Sequence, residues 1–264
     1  MEKLVFTYTN ANVNKKKMKE KDGWFHVNIG ALNAFNVHGE LYLSDGIKEM
    51  INDPQTRIGQ KLAMGYLKGE REHTKWEKNM TKMEYLLRLM HVEPTNVSHH
   101  IKSIEIEDTG IPVGKGFKGN ILNLSAWIKP DSGPIGQILL NDLKDPEINV
   151  AFSIRSITKE TFVNGIKVKK IENLVTFGWV FMPGIPTANK FDTISREGVG
   201  IGTESILSTD VIDSITMDDI KELELITNSR KLAGMESDDS AKMLSEFKNS
   251  LNDKPRTFAV FSKW

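Results

Sequence analysis

The chain has 264 residues, 39% of them hydrophobic and 27% charged, with 35 basic residues against 35 acidic ones. That is ordinary globular composition, and a formal net charge of zero offers no basic field for nucleic acid. The absence of cysteine excludes disulfides, thiolate nucleophiles and Cys-ligated metals. No window reaches the roughly 18 apolar residues of a membrane span, and the N-terminal stretch lacks a signal-peptide core. The reading is a cytosolic, non-membrane protein of one large domain or one domain with an appendage.

Residues 4–8 (LVFTY) and 24–30 (WFHVNIG) read as strands, being aromatic and β-branched. The Lys-rich stretch 10–22 between them reads as a solvated loop, and His26 as packed in or near the core. Residues 41–43 form a short strand, and Ser44 is placed to cap a brief helix holding Ile47, Met50 and Ile51, ended by Asp53-Pro54. Ile58, Leu62 and Tyr66 keep helical spacing, as do Trp76, Met80, Met83, Leu87 and Met90. Pro94 stops this second helical path, which leaves His91 at or just past its end.

Residues 101–107 (IKSIEIE) alternate as a half-exposed strand turned by Asp108-Thr109-Gly110. Residues 113–124 form the next strand and 126–133 a loop. Asp131 or Ser132 caps a helix with Pro134 in its first turn and Ile135, Ile138, Leu139 and Leu143 as its stripe. A strand over 149–154 follows, then two more over 166–171 and 174–182 behind the turn Asn164-Gly165. Beyond Gly198 the chain turns acidic and aromatic-poor, with a capping box at Thr216 and Asp219, a helix opened by Ser237 and a short strand over 257–261. The whole predicts an α+β fold, a mostly antiparallel curved sheet or β-barrel with surrounding helices over 1–200, and a C-terminal helical appendage over 201–264.

Few constellations carry chemistry. The six histidines form no HExxH, and His99 and His100 are neighbours on a strand, so their rings point to opposite faces. No metal or cofactor is expected; the glycine run 198–202 lacks the strand-to-helix context of a phosphate loop. Ser153 and Arg155 lie two apart on one strand and share a face. A hydroxyl beside a fixed cation is a candidate nucleophile with an anion stabiliser, though it needs a base within about 3 Å. Read alone, Ser153 is more often a hydrogen-bonded core hydroxyl than a nucleophile, and His91 more often a helix cap than a base.

From about Leu86 to Ala188 the chain resembles the prohead (capsid maturation) serine proteases of tailed phages, which share a fold with the herpesvirus assemblins. That family shows a GELxHP-like segment, a V-S-H step, a P-x-G helix, a strand with S-S-R and a strand ending P-S-x-P-x-A. Here the matching stretches are Leu89-Met90-His91-Val92, residues 95–101 (TNVSHHI), Gly133-Pro134-Ile135-Gly136, Phe152-Ser153-Ile154-Arg155 and residues 180–188 (VFMPGIPTA). The resemblance implies Ser153 as nucleophile, His91 as general base and Arg155 as the group that positions the oxyanion. A second match, Gly69-Glu70-Arg71-Glu72-His73, would make His73 the base.

Gly178 stands where many members carry Asp, so the third catalytic group is left among Thr176, the 178 position and His99. The resemblance further implies cleavage of scaffold and major capsid proteins after an apolar-x-Glu triplet. Localisation would be the host cytoplasm, inside the assembling prohead, with a homo-oligomer in its core compatible with that setting. It implies self-cleavage too: Ile220-Lys221-Glu222 and Leu244-Ser245-Glu246 fit such triplets and mark the tail as a removable zymogen segment. The alternative is a catalytically silent relative that serves as a structural procapsid-core protein.

Overall fold

The computed structural model describes residues 18–75 and 79–191, with positions 221, 222 and 225 beyond them. Strands β1 (Lys19–Lys21), β2 (Trp24–Leu32), β5 (Lys68–Glu70), β6 (Val97–Gly114) and β7 (Phe117–Pro130) form one sheet, ordered β1-β2-β7-β6-β5. A second sheet holds β3 (Ala34–Phe35), β4 (Leu41–Tyr42), β8 (Ala151–Val163) and β9 (Ile166–Val180), ordered β3-β4-β9-β8. All pairs are antiparallel except β4 with β9. The α+β expectation with mostly antiparallel pairing therefore holds.

The core lies between the sheets because alternate residues of each strand face inward. Phe25, Ile29 and Ile128 of the first sheet meet Phe152 and Phe177 of the second. Helices α1 (Ile47–Asn52), α2 (Arg57–Ala63) and α4 (Pro134–Lys144) add Ile47, Ile58, Leu139 and Leu143. Helix α3 (Lys82–Met90) buries Met83, Leu86, Leu87 and Met90 through the predicted 3–4 spacing.

Among the described residues the sheets do not close into a hydrogen-bonded barrel, which corrects that part of the expectation. On one side a single parallel bridge joins Arg71 to Trp179, with Glu72 N–H donating to Trp179 O at 2.7 Å. On the other side β8 meets β2 through side chains: a Cβ on Gly30 would lie 3.1 Å from Ile154 Cδ1. The edges that closure would need are already taken. Phe152 N–H donates to Ala188 O and Lys190 N–H to Val150 O, while β1 occupies the free edge of β2. Buried Lys190 also holds this strap to the end of α4, its Nζ donating to Asp142 O (2.7 Å) and Asp145 O (2.5 Å).

Local corrections share a cause, which is turn chemistry. Asp22 and Gly23 take positive φ (54° and 75°) and close a β1–β2 hairpin where the sequence suggested only loop, a type I′ pattern. The turn placed at 108–110 is instead an irregularity inside β6, and the chain reverses at Lys115-Gly116. Consequently 126–130 is strand, not loop, and the two strands after Asn164-Gly165 are one. The α1 N-cap is Gly46 rather than Ser44, and that of α4 is Gly133, whose N–H donates to Asp131. Ile138 is exposed, Tyr66 lies past α2, and Met80 precedes α3, which Thr81 and Glu84 start as a capping box. His26 is half-buried against Trp127 and Glu105. The expected elements at 4–8, 198–202, 216–219, 237–247 and 257–261, Trp76, and the 201–264 appendage apart from 221, 222 and 225 lie outside the described residues.

Candidate active site

Ser153 and Arg155 stand on one face of β8, opposite Gly178 and Thr176 of β9. Their neighbours Phe152 and Ile154 face the other way, and Phe152 anchors the strand in the core. Both site residues are buried, at 7% and 4% exposure. The Ser153 hydroxyl makes no hydrogen bond among the described residues.

Segment 70–72 crosses above Gly178. A Cβ at that position would lie 3.3 Å from Glu70 O and 3.7 Å from Glu72 O. A side chain there would start in tight contact with the Glu70 carbonyl and in ordinary contact with that of Glu72. Glycine, where the resemblance leads one to look for Asp, keeps this crossing uncrowded. Thr176 Oγ1 donates to Lys68 O at 2.6 Å, so it ties down β5. His99 is wholly buried and stacks edge-on against Phe152, on the face of β8 opposite Ser153. Its Nδ1 shares a 2.9 Å bond with Ser98 Oγ.

Glu70, at the end of β5, is the anchor of the arrangement and has 0% exposure. Its Oε2 accepts from Arg155 at 2.9 Å and from Arg88 at 2.8 Å, while Oε1 accepts from Arg88 at 3.0 Å. Asn96 Nδ2 (3.4 Å) and the Glu93 N–H complete the shell. Burial alone would raise this carboxyl, but the hydrogen bonds from Arg88 and Arg155 outweigh it and hold it below its ordinary value. Glu70 thus holds two guanidinium groups, of which Arg155 belongs to the strand face that carries Ser153.

The structure places the two candidate bases differently. His91 is the C-cap of α3, as expected: its N–H donates to Leu87 O at 3.1 Å and its ring Nδ1 bonds the same oxygen at 2.9 Å. Its carbonyl accepts from Arg88 (3.0 Å) and Arg155 (3.3 Å). With Asn79, Glu84 and Glu93 it borders a surface hollow that Ser153 does not line. His73 follows the segment that crosses Gly178. Its Nε2 is buried without a hydrogen bond among the described residues. Burial, reinforced by the Arg155 guanidinium, lowers its pKa to about 4. The signal for Glu70 and His73 was present in the sequence as Gly69-Glu70-Arg71-Glu72-His73; a buried anchoring role for Glu70 was not read from it.

Burial, with a smaller contribution from His100, lowers the pKa of His99 to about 3. Both depressed imidazoles are neutral in the fold, whereas the unfolded chain protonates them near pH 6.5. Between pH 6.5 and about 4 the unfolded state therefore binds more protons, and stability falls as pH falls. Glu70, also depressed, adds loss below its unfolded value. We predict that the thermal midpoint declines from pH 7 to pH 4, and that His99→Gln flattens the slope between pH 6.5 and 5. A midpoint independent of pH in that window would contradict the buried neutral imidazoles.

The model of the Peptidase S80 family matches residues 6–247. A relative named capsid maturation protease, from Pseudomonas phage phiKZ, is 28% identical over 194 residues, covering 71% of this chain and 68% of its own length. No solved structure matches the chain.

Proposed function

The chain belongs to the peptidase S80 family, and from that premise and the site's geometry we propose that it is a serine endopeptidase of phage capsid maturation with Ser153 as nucleophile. The observation that carries this reading is the pairing of buried Ser153 and Arg155 on one strand face beneath the segment that leads to His73. The phiKZ relative's name supplies the setting: scaffold and capsid proteins, and this chain's own tail, are the proposed substrates. Cleavage after apolar-x-Glu is carried from the family resemblance. Of the two fitting triplets, Lys221 and Glu222 are helical and exposed, while 244–246 lies outside the described residues.

In this mechanism an imidazole takes the Ser153 proton as Oγ attacks the peptide carbonyl carbon. The fixed charge at Arg155 favours the tetrahedral oxyanion. Collapse breaks the C–N bond, the imidazolium returns its proton to the departing amine, and water then hydrolyses the acyl-enzyme by the reverse order of transfers. His73 is the base this arrangement favours over His91. It is neutral, its Nε2 is uncommitted, and its segment lies over the cross-strand partner of Ser153. His91 spends Nδ1 and backbone on ending α3.

The test compares His73→Ala with His91→Ala for cleavage of the phage's scaffold protein. The expected loss is roughly 10³-fold or more for His73→Ala, and within about tenfold for His91→Ala, since a cap contributes only about 1 kcal/mol. The reverse ranking returns the base to His91. The silent-scaffold reading draws on Gly178, which offers no acid to orient the imidazole; activity in neither variant nor wild type would support it.

A further inference from the structure

We propose that Glu70 is a positioning residue of this site: its buried carboxylate clamps the Arg155 guanidinium against the His91 carbonyl and thereby sets where the cation stands beside Ser153. The inference rests on Ser153 being the nucleophile. Arg155 reaches Glu70 Oε2 at 2.9 Å through one terminal nitrogen and His91 O at 3.3 Å through the other. A planar fork held at both prongs has one orientation. Without the carboxylate only the longer contact would remain, and the side chain would be free to swing across the face.

The opposing reading is an ordinary buried ion pair that serves the fold. Such pairs stabilise little against well-packed apolar groups, because desolvation offsets their attraction. Here one carboxylate pairs with two guanidinium groups, those of Arg88 and Arg155. Its position argues further. Glu70 ends β5, three residues before His73, and accepts the Glu93 N–H and Asn96 Nδ2 from the turn after α3. One carboxylate thus fixes three pieces of chain around Ser153: β8 through Arg155, the 91–96 turn, and the approach to His73. Segment 70–72 has little freedom of its own, being bridged to β9 at Trp179.

Replacing the carboxylate by an amide keeps the shape but turns one acceptor into a donor facing guanidinium N–H groups. The site would then lose orientation more than occupancy. A fluorophosphonate probe reads this directly: Ser153 Oγ attacks phosphorus, the P–O bond forms, fluoride leaves, and the hydroxyl proton goes to the base. With the full chain, wild type is expected to be phosphonylated at Ser153, located by peptide mass spectrometry. In Glu70→Gln the maximal inactivation rate is expected to fall on the order of 10²-fold, with the probe's half-saturation concentration changed less than about threefold because the binding surface is retained.

The double variant Glu70→Gln/Arg155→Gln separates positioning from folding, and removes both charges of the pair where the single variant does not fold. Acting through Arg155, Glu70→Gln should slow labelling no further in the Arg155→Gln background. A further fall of about tenfold there, or a single-variant rate equal to wild type, overturns the inference while leaving Ser153 as nucleophile. Wild type that is not labelled at Ser153 overturns the site reading and this inference together.

Discussion

Ser153→Ala is expected to leave the fold intact and to end proteolysis. The hydroxyl makes no hydrogen bond among the described residues, so its removal unsatisfies nothing and exposes little at a position 7% exposed. The thermal midpoint should move by no more than a degree or two, because a change of about 0.5 kcal/mol shifts a domain of this size by roughly that amount. Turnover, by contrast, should fall on the order of 10⁶-fold, the scale of losing an activated nucleophile. Wild type incubated with the phage scaffold protein should shorten both the substrate and its own chain; the variant should show unchanged masses for both. Cleavage that survives the substitution would mean that another residue is the nucleophile. Intact masses in wild type as well would favour the structural procapsid-core reading over the enzymatic one.

Gly69→Ala should act through the fold instead. The new methyl would stand 2.2 Å from His99 Cε1, 2.4 Å from His99 Nε2 and 2.3 Å from Phe177 O. Neither neighbour can retreat cheaply. Phe177 O belongs to the backbone of β9, and the His99 ring is enclosed, bonded to Ser98 and packed on Phe152. Overpacking of this severity costs about 3 kcal/mol, a loss of roughly 6–12 °C in thermal midpoint. Since β5 bears Glu70, its displacement would carry Arg155 with it, and activity should fall even at temperatures where the variant is folded. A thermal midpoint equal to wild type would show that β5 does not sit between β6 and β9 as described.

These two residues also mark how much was legible beforehand. The apolar run behind the Pro146 turn announces the strand that carries the hydroxyl at 153, and a strand puts residues two apart on the same face whatever surrounds it. The 3–4 spacing of Met83, Leu87 and Met90 likewise predicted the buried side of α3, and Pro94 the helix end that makes His91 a cap. Asn164-Gly165 announced its hairpin. Each inference uses a period or a backbone preference that is complete within a few neighbouring residues.

Gly69 and Glu70 were not legible in that sense. A glycine that exists to admit a histidine 30 positions away, or an acid that neutralises arginines from α3 and β8, has no local signature. The same holds for Gly178, which meets the carbonyl of Glu70 from a distant segment. The barrel expectation failed for a related reason: strand count and alternation specify faces, whereas the competition for each strand edge is settled by the segments at 19–21 and 188–190. The sequence by itself determined the strand that presents Ser153 with Arg155 and the helix that ends at His91, because short-range sterics and periodicity suffice for both. Tertiary structure alone decided which segment crosses Gly178, the cross-strand partner of Ser153, and what holds the arginine, because those depend on burial and charge contributed by residues far apart in the chain.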